Sequence, residues 1–290
     1  MHLRPTPFVL LLLLHAPLKA DMIGLNFTYT TTGTTRTPDV LFSSTEEAGA
    51  PGYRQSHWNH FSTDWSGTVE NDPIFAAGVV DRHGVPVSGA GLLSIPYGVH
   101  SDPVHFDSQN IWASNLGNAT ADFTLMNGYL DDGTDNQPYI NIQLAPGFYA
   151  TYSVVIYING DTPSQGSGRY WLESWTDPLL EGTVLTDRIG VANLNGGPGM
   201  FNGTYVQAGG ADFGPSASPV NLDVSAGHYL VFTGITARNL RIRAAGNADP
   251  EDFGRAPIHA VQIVNAVPEP GSSTLLVGGL LALSRLGRRR

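Results

Sequence analysis

The chain has 290 residues, of which 34 are Gly and 20 Pro, so about a fifth of its positions resist regular helix. Hydrophobic residues make up 41% and charged residues 14%, which excludes a coiled coil, a charge-rich disordered tail and a basic nucleic-acid binder. Cysteine is absent, so no disulfide, thiolate metal site or cysteine nucleophile is available and stability must come from a hydrophobic core.

Residues 1–20 open on a basic stretch, continue as Phe8-Val9-Leu10-Leu11-Leu12-Leu13-Leu14 and end on the small residue Ala20. This is the layout of a secretory signal peptide, with cleavage expected between Ala20 and Asp21. The apolar run is far shorter than the roughly 20 residues of a spanning helix, so it is an export address and not an anchor.

The body, residues 21–266, holds nine Arg, no Lys and 24 Asp plus Glu, a formal charge of −15 with His neutral. Such a body repels nucleic acid and anionic headgroups, and it suits an extracellular protein or one that collects divalent cations. Its longest run free of Gly and Pro, residues 53–66, carries no helical stripe, and no long period repeats; we therefore expect one large domain with little helix. Strand-like runs are frequent, at residues 149–158, 203–207, 228–233, 240–243 and 258–264, rich in β-branched and aromatic residues and bounded by Asn-Gly, Gly-Gly and Ala-Gly turns. In Leu240-Arg241-Ile242-Arg243 the alternation is strict, which buries one face and sends the arginines toward water.

Candidate sites follow in chain order. His57, His60 and Asp64, and again His100, Asp102, His105 and Asp107, bring imidazole and carboxylate close in sequence, the donor set of Zn²⁺ or Ni²⁺. Neither spacing is the helical His-Glu-x-x-His pattern, and turn and surface hydrogen bonding is the favoured reading of both clusters. Asp131, Asp132 and Asp135, with Asn136, gather the hard oxygens that Ca²⁺ takes, without the spacing of an EF-hand; an Asp-Gly turn needs no ion. Trp171 and Trp175 offer flat apolar faces for sugar rings, although tryptophan in a sheet protein also serves as core. No Gly-x-Ser-x-Gly elbow, Walker loop or dinucleotide fingerprint is present, so the chain is read as a non-enzyme.

The C-terminus reads Pro268-Glu269-Pro270, then the apolar run 274–284, then Arg285, Arg288, Arg289 and Arg290. This order resembles the PEP-CTERM sorting tail of exported bacterial proteins. The resemblance implies that an exosortase, an integral membrane enzyme, recognises Pro268, Glu269 and Pro270, and that export machinery and the inner membrane are transient partners. The apolar run parks the tail in the membrane as a short helix and the arginines favour the cytoplasmic side. Arg285 interrupts that run, leaving it well short of a full span.

The order of Ile23-Gly24-Leu25-Asn26-Phe27, His57-Trp58-Asn59, Met126-Asn127-Gly128-Tyr129-Leu130-Asp131, residues 152–161 and residues 255–264 is similar to β-sandwich domains of PEP-CTERM proteins, akin to galactose-binding-like jelly rolls. The expected fold is thus all-β: a single antiparallel jelly-roll-like sandwich over 21–266, flanked by the signal peptide at 1–20 and the sorting tail at 267–290. For the body, a non-catalytic carbohydrate-binding or adhesive module that meets extracellular polysaccharide ranks first. A Ca²⁺-stabilised matrix protein ranks second and a glycan hydrolase third. Fold alone does not choose among them.

Overall fold

The computed structural model describes residues 22–29, 43–63, 73–75, 79–87, 94–96, 110–113, 120–131, 139–144, 148–159, 167–176, 182–192, 201–209, 225–245 and 256–265. These form strands and one short helix, α1 (Ala121–Leu125), as expected for an all-β chain. The first sheet contains β1 (Met22–Tyr29), β2 (Asn59–Thr63), β8 (Tyr152–Tyr157), β13 (Tyr229–Ile235) and β15 (Ala260–Asn265), in the order β13-β8-β15-β1-β2. The second contains β7 (Tyr139–Gln143), β9 (Ser167–Ser174), β11 (Ile189–Ala192), β12 (Ser225–Ala226) and β14 (Asn239–Ala245), in the order β12-β11-β9-β14-β7, with β10 (Thr183–Val184) also paired to β9. Two short ladders join β3 (Pro73–Phe75) to β4 (Ser94–Pro96) and β5 (Asn110–Ala113) to β6 (Gly128–Asp131).

One core is shared by both sheets. From the first come Ile23, Leu25 and Phe27 of β1, Val154 and Ile156 of β8, and Val261 and Ile263 of β15; from the second come Ile140 and Ile142 of β7, Tyr170 and Leu172 of β9, and Leu240 and Ile242 of β14. Each contributes alternate residues because successive side chains of a strand point to opposite faces. Removing a Leu or Ile of this kind from water stabilises the fold by roughly 1.5–3 kcal/mol.

The first sheet is covered on its far face as well. There Val155 and Tyr157 of β8, Tyr229 of β13 and Ala260 of β15 pack with Ala48, Ala50, Trp58, α1 and Phe201. This double burial is why β8 reads Tyr-Ser-Val-Val-Ile-Tyr, with apolar side chains on both faces instead of clean alternation. A buried polar chain ties the covering loop down. The Tyr157 hydroxyl donates to Gln262 Oε1 at 2.6 Å and accepts from the Ala50 amide at 3.0 Å, and Gln262 Nε2 donates to Gln55 Oε1 at 3.0 Å and to the Tyr53 carbonyl at 2.8 Å.

Three expectations are modified. Pairing is antiparallel in most ladders, but β1 runs parallel to β2 and β11 parallel to β12. The intervening chain, 30–58 and 193–224, is long enough for the crossover that a parallel pair requires, and hydrophobic period carries no strand direction. Residues 203–207 do not form a ladder strand; Gln207 makes an isolated bridge to Tyr229, and the Val206 amide donates to His228 Nδ1. Finally, the alternation of β14 does bury Leu240 and Ile242, yet Arg241 on the opposite face is also buried. Neighbouring side chains of that face cover it.

Candidate functional site

The outward face of the second sheet is organised in rows that run across β7, β14 and β9. In the first row Arg243 stands opposite both Tyr139 and Trp171, and Arg188, one residue before Ile189, falls beside Trp171 because Ile189 pairs with Tyr170. The Arg188 guanidinium carbon lies 4.7 Å from the Trp171 ring centroid, and that of Arg243 lies 5.6 Å from Trp171 and 5.9 Å from Tyr139. Each distance is within the range in which the negative face of an aromatic ring attracts a cation.

The second row is Asn141, Arg241 and Glu173. Arg241 Nε donates to Asn141 Oδ1 at 2.7 Å and its Nη1 lies 3.9 Å from Glu173 Oε2, while the Trp171 indole N–H donates to Glu173 Oε1 at 2.7 Å. Arg241 is 3% and Glu173 7% exposed. A pair this buried contributes little net stability, because desolvation offsets attraction, yet removing one partner typically costs about 3–5 kcal/mol. In the third row Gln143 Nε2 donates to Asn239 Oδ1, Asn239 Nδ2 donates to the Trp175 carbonyl, and the Trp175 indole donates to the Leu240 carbonyl.

Arg169 lies two residues before Trp171 on β9, between Ala245 and Gly190. Burial, and next the like charge of Arg188, hold its guanidinium below the ordinary arginine value. The face therefore collects Arg169, Arg188, Arg241 and Arg243, four of the nine arginines of a strongly acidic body, with Glu173 beside Arg241.

Trp171 and Trp175 thus lie on the same sheet, both buried, at 6% and 8% exposure, and their indole N–H groups are already engaged. Trp171 serves as a base on which guanidinium groups rest. The sequence places Arg169 beside these two tryptophans but does not point to Arg188 or Tyr139 as their neighbours. The signal was present only as Arg-Tyr-Trp-Leu-Glu in β9 and Arg-Ile-Arg in β14, and the register that joins them is non-local.

His57 and His60 have separate partners. His57, at φ 55°, fits its ring against Gly84 and bonds through Nδ1 to the Ser56 hydroxyl and the Arg82 carbonyl. His60 Nδ1 accepts from Asn26 Nδ2 at 3.1 Å, and burial lowers its pKa to about 4. Asp131 ends β6, paired with Asn110. Asp132 and Asp135 lie outside the described residues, as do Asp64, His100, Asp102, His105 and Asp107, Ala20 and Asp21, Pro268, Glu269 and Pro270, and Arg285, Arg288, Arg289 and Arg290. Among the described residues no group of three His, Asp or Glu is placed to hold a metal ion, and no helix is long and apolar enough to cross a membrane. Comparison of the chain with protein-family models, with curated proteins and with solved structures finds no match.

Proposed function

We propose that the protein is exported to the cell surface or extracellular matrix, is processed at Pro268, Glu269 and Pro270 by an exosortase, and carries a jelly-roll-like body that acts as a non-catalytic carbohydrate-binding or adhesive module. The addresses at residues 1–20 and 267–290 support the sorting half of this reading. For the body, the observation that carries it is the outer face of the second sheet, where Tyr139, Trp171, Arg188 and Arg243 alternate ring and guanidinium across neighbouring strands. Such a face suits a saccharide because planar guanidinium donors match the oxygen acceptors of a sugar.

A glycan array probed with the tagged full-length chain, with and without chelator, tests the module. Binding without turnover is the expected result, turnover of any glycan would instead assign a hydrolase, and an array that stays blank removes the module reading. The same tag followed by fractionation tests sorting. The chain is expected outside the cytosol, with its distribution altered by deletion of residues 268–290, and a cytosolic product retaining Met1 would overturn the export reading.

A further inference from the structure

We infer that Asn202, in the exposed turn between Phe201 and Tyr205, is a site of spontaneous deamidation: the Gly203 backbone nitrogen attacks the Asn202 side-chain amide, ammonia leaves, and water opens the cyclic imide to aspartate or isoaspartate. The inference stands apart from the carbohydrate-binding reading and calls on no reactant except water.

The bonds balance without an oxidant or a reductant. Gly203 N gives up its proton and bonds to Asn202 Cγ, and Oδ1 takes the negative charge of the tetrahedral intermediate. As that charge collapses, the Cγ–Nδ2 bond breaks and Nδ2 leaves as ammonia with the proton that Gly203 gave up. Water then adds to either carbonyl of the imide ring, and the ring nitrogen recovers a proton. Opening at the side-chain carbonyl gives aspartate. Opening at the main-chain carbonyl gives isoaspartate, in which the backbone runs through Cβ and Cγ.

The geometry of the turn favours this chemistry. Oδ1 of Asn202 accepts from the Thr204 amide at 3.0 Å, so an N–H already points at the atom on which charge develops. That hydrogen bond closes a ring containing the Gly203 nitrogen, which holds the side chain back over the peptide unit that attacks it. Gly203 sits at φ 95°, where a side chain is strained, and a Cβ there would come within 3.2 Å of the Phe123 ring. The fold thus calls for the residue type that leaves the attacking nitrogen unscreened. Asn202, Gly203 and Thr204 are all exposed, so water and hydroxide reach each step.

The same dipeptide is held differently elsewhere. Asn159 is buried and its Oδ1 is taken by the Phe201 amide. Gly128, which follows Asn127, is buried and paired with Ala113 in the β5–β6 ladder. Asn195 and Gly196 lie outside the described residues.

Isoaspartate at this position has a mechanical consequence, because the turn is fixed on both sides. Before it, the Phe201 amide donates to Asn159 Oδ1 at 3.1 Å and the Phe201 ring lies 5.1 Å from that of Phe123. After it, the Tyr205 hydroxyl donates to Asp122 Oδ1 at 3.3 Å, the His228 amide donates to the Val206 carbonyl at 2.7 Å, and the Ala208 amide donates to the Tyr229 carbonyl at 2.8 Å. An extra main-chain carbon between these anchors breaks their register, so residues 201–208 loosen from β13.

The test is peptide mapping by mass spectrometry of the full-length chain, kept folded in mildly alkaline buffer at physiological temperature. The mass gain of NH2 replaced by OH should accumulate at Asn202 about tenfold faster than at Asn127 or Asn159, the ratio set by about 1.36 kcal/mol of barrier. In urea the three rates should converge, because only the fold separates them. Protection of Asn202 in the folded chain equal to that of Asn127 and Asn159 overturns the site. Asn202→Gln, which would have to close a larger ring, should abolish the gain in that peptide, and its persistence overturns the mechanism. Amide hydrogen exchange at Phe201, Val206 and Ala208 should quicken in the isoaspartyl form and stay slow in Asn202→Asp, which carries the charge without the extra carbon. Equal exchange in the isoaspartyl and unaltered protein overturns the loosening.

Discussion

His259 sits wholly within the protein, beside β15, with its ring centroid 5.2 Å from that of Tyr129. Its Nε2 lies 3.0 Å from the Asn159 carbonyl, and a carbonyl only accepts, so this nitrogen carries the proton of the neutral ring. Burial lowers its pKa from 6.5 to about 4. The folded value lies below the unfolded one, so the unfolded chain binds the extra proton first. Stability is therefore full above pH 6.5, falls as pH drops from 6.5 toward 4, and is flat with respect to this ring below that. At about 1.36 kcal/mol per unit, His259 alone should cost about 2–3 kcal/mol between pH 7 and 4.5. Urea unfolding at the two pH values checks this: His259→Asn should shrink the difference by that amount, and an unchanged difference would show that the ring does not titrate in this window. None of this was legible in the sequence, where His259 is one residue of an apolar strand. The converse holds for His57 and His60, conspicuous as a pair but each absorbed in loop and strand contacts of its own.

Strands were the more readable level. Alternation in 240–243 and the β-branched runs at 149–158 and 258–264 contain or overlap β14, β8 and β15, because burying one or both faces of a sheet imposes a local pattern. Partners and direction left no such mark. The parallel neighbours β1 and β2 were read only as separate motifs, and Arg241 and Arg243 were expected in water because their covering residues come from β7, β9 and the approach to β11. Gly24 shows the same dependence on a distant element. A Cβ there would collide with the Gln55 amide and the Trp58 ring, which the loop before β2 lays across β1. Gly24→Ala should destabilise by about 1–3 kcal/mol through overpacking. Gly209, where a Cβ meets nothing within 4 Å, is the control, and Gly209→Ala should be near neutral. Chemical denaturation reads both, and equal midpoints for the two variants would show that the loop yields.

At the scale of the molecule, the acidic stretch that begins as β6 ends gives a direct test of the calcium-stabilised alternative. A site built from Asp131, Asp132 and Asp135 would add about 2.7 kcal/mol at a hundredfold excess of Ca²⁺ over its dissociation constant. Melting temperature would then rise with calcium, less with magnesium, which demands a tighter octahedron, and Asp132→Asn would blunt the response. An unchanged melting temperature from chelator to millimolar calcium assigns the stretch to an ordinary turn. The position of β15 has a different kind of consequence. It lies between β8 and β1, with Val264 opposite Met22, so the last strand among the described residues is the middle of the first sheet. Until it arrives, β1 and β8 each present an open edge, and the contact that closes them has very large sequence separation. The first sheet therefore cannot be completed before β15 is available. Until β15 pairs, those two edges need protection from edge-to-edge aggregation.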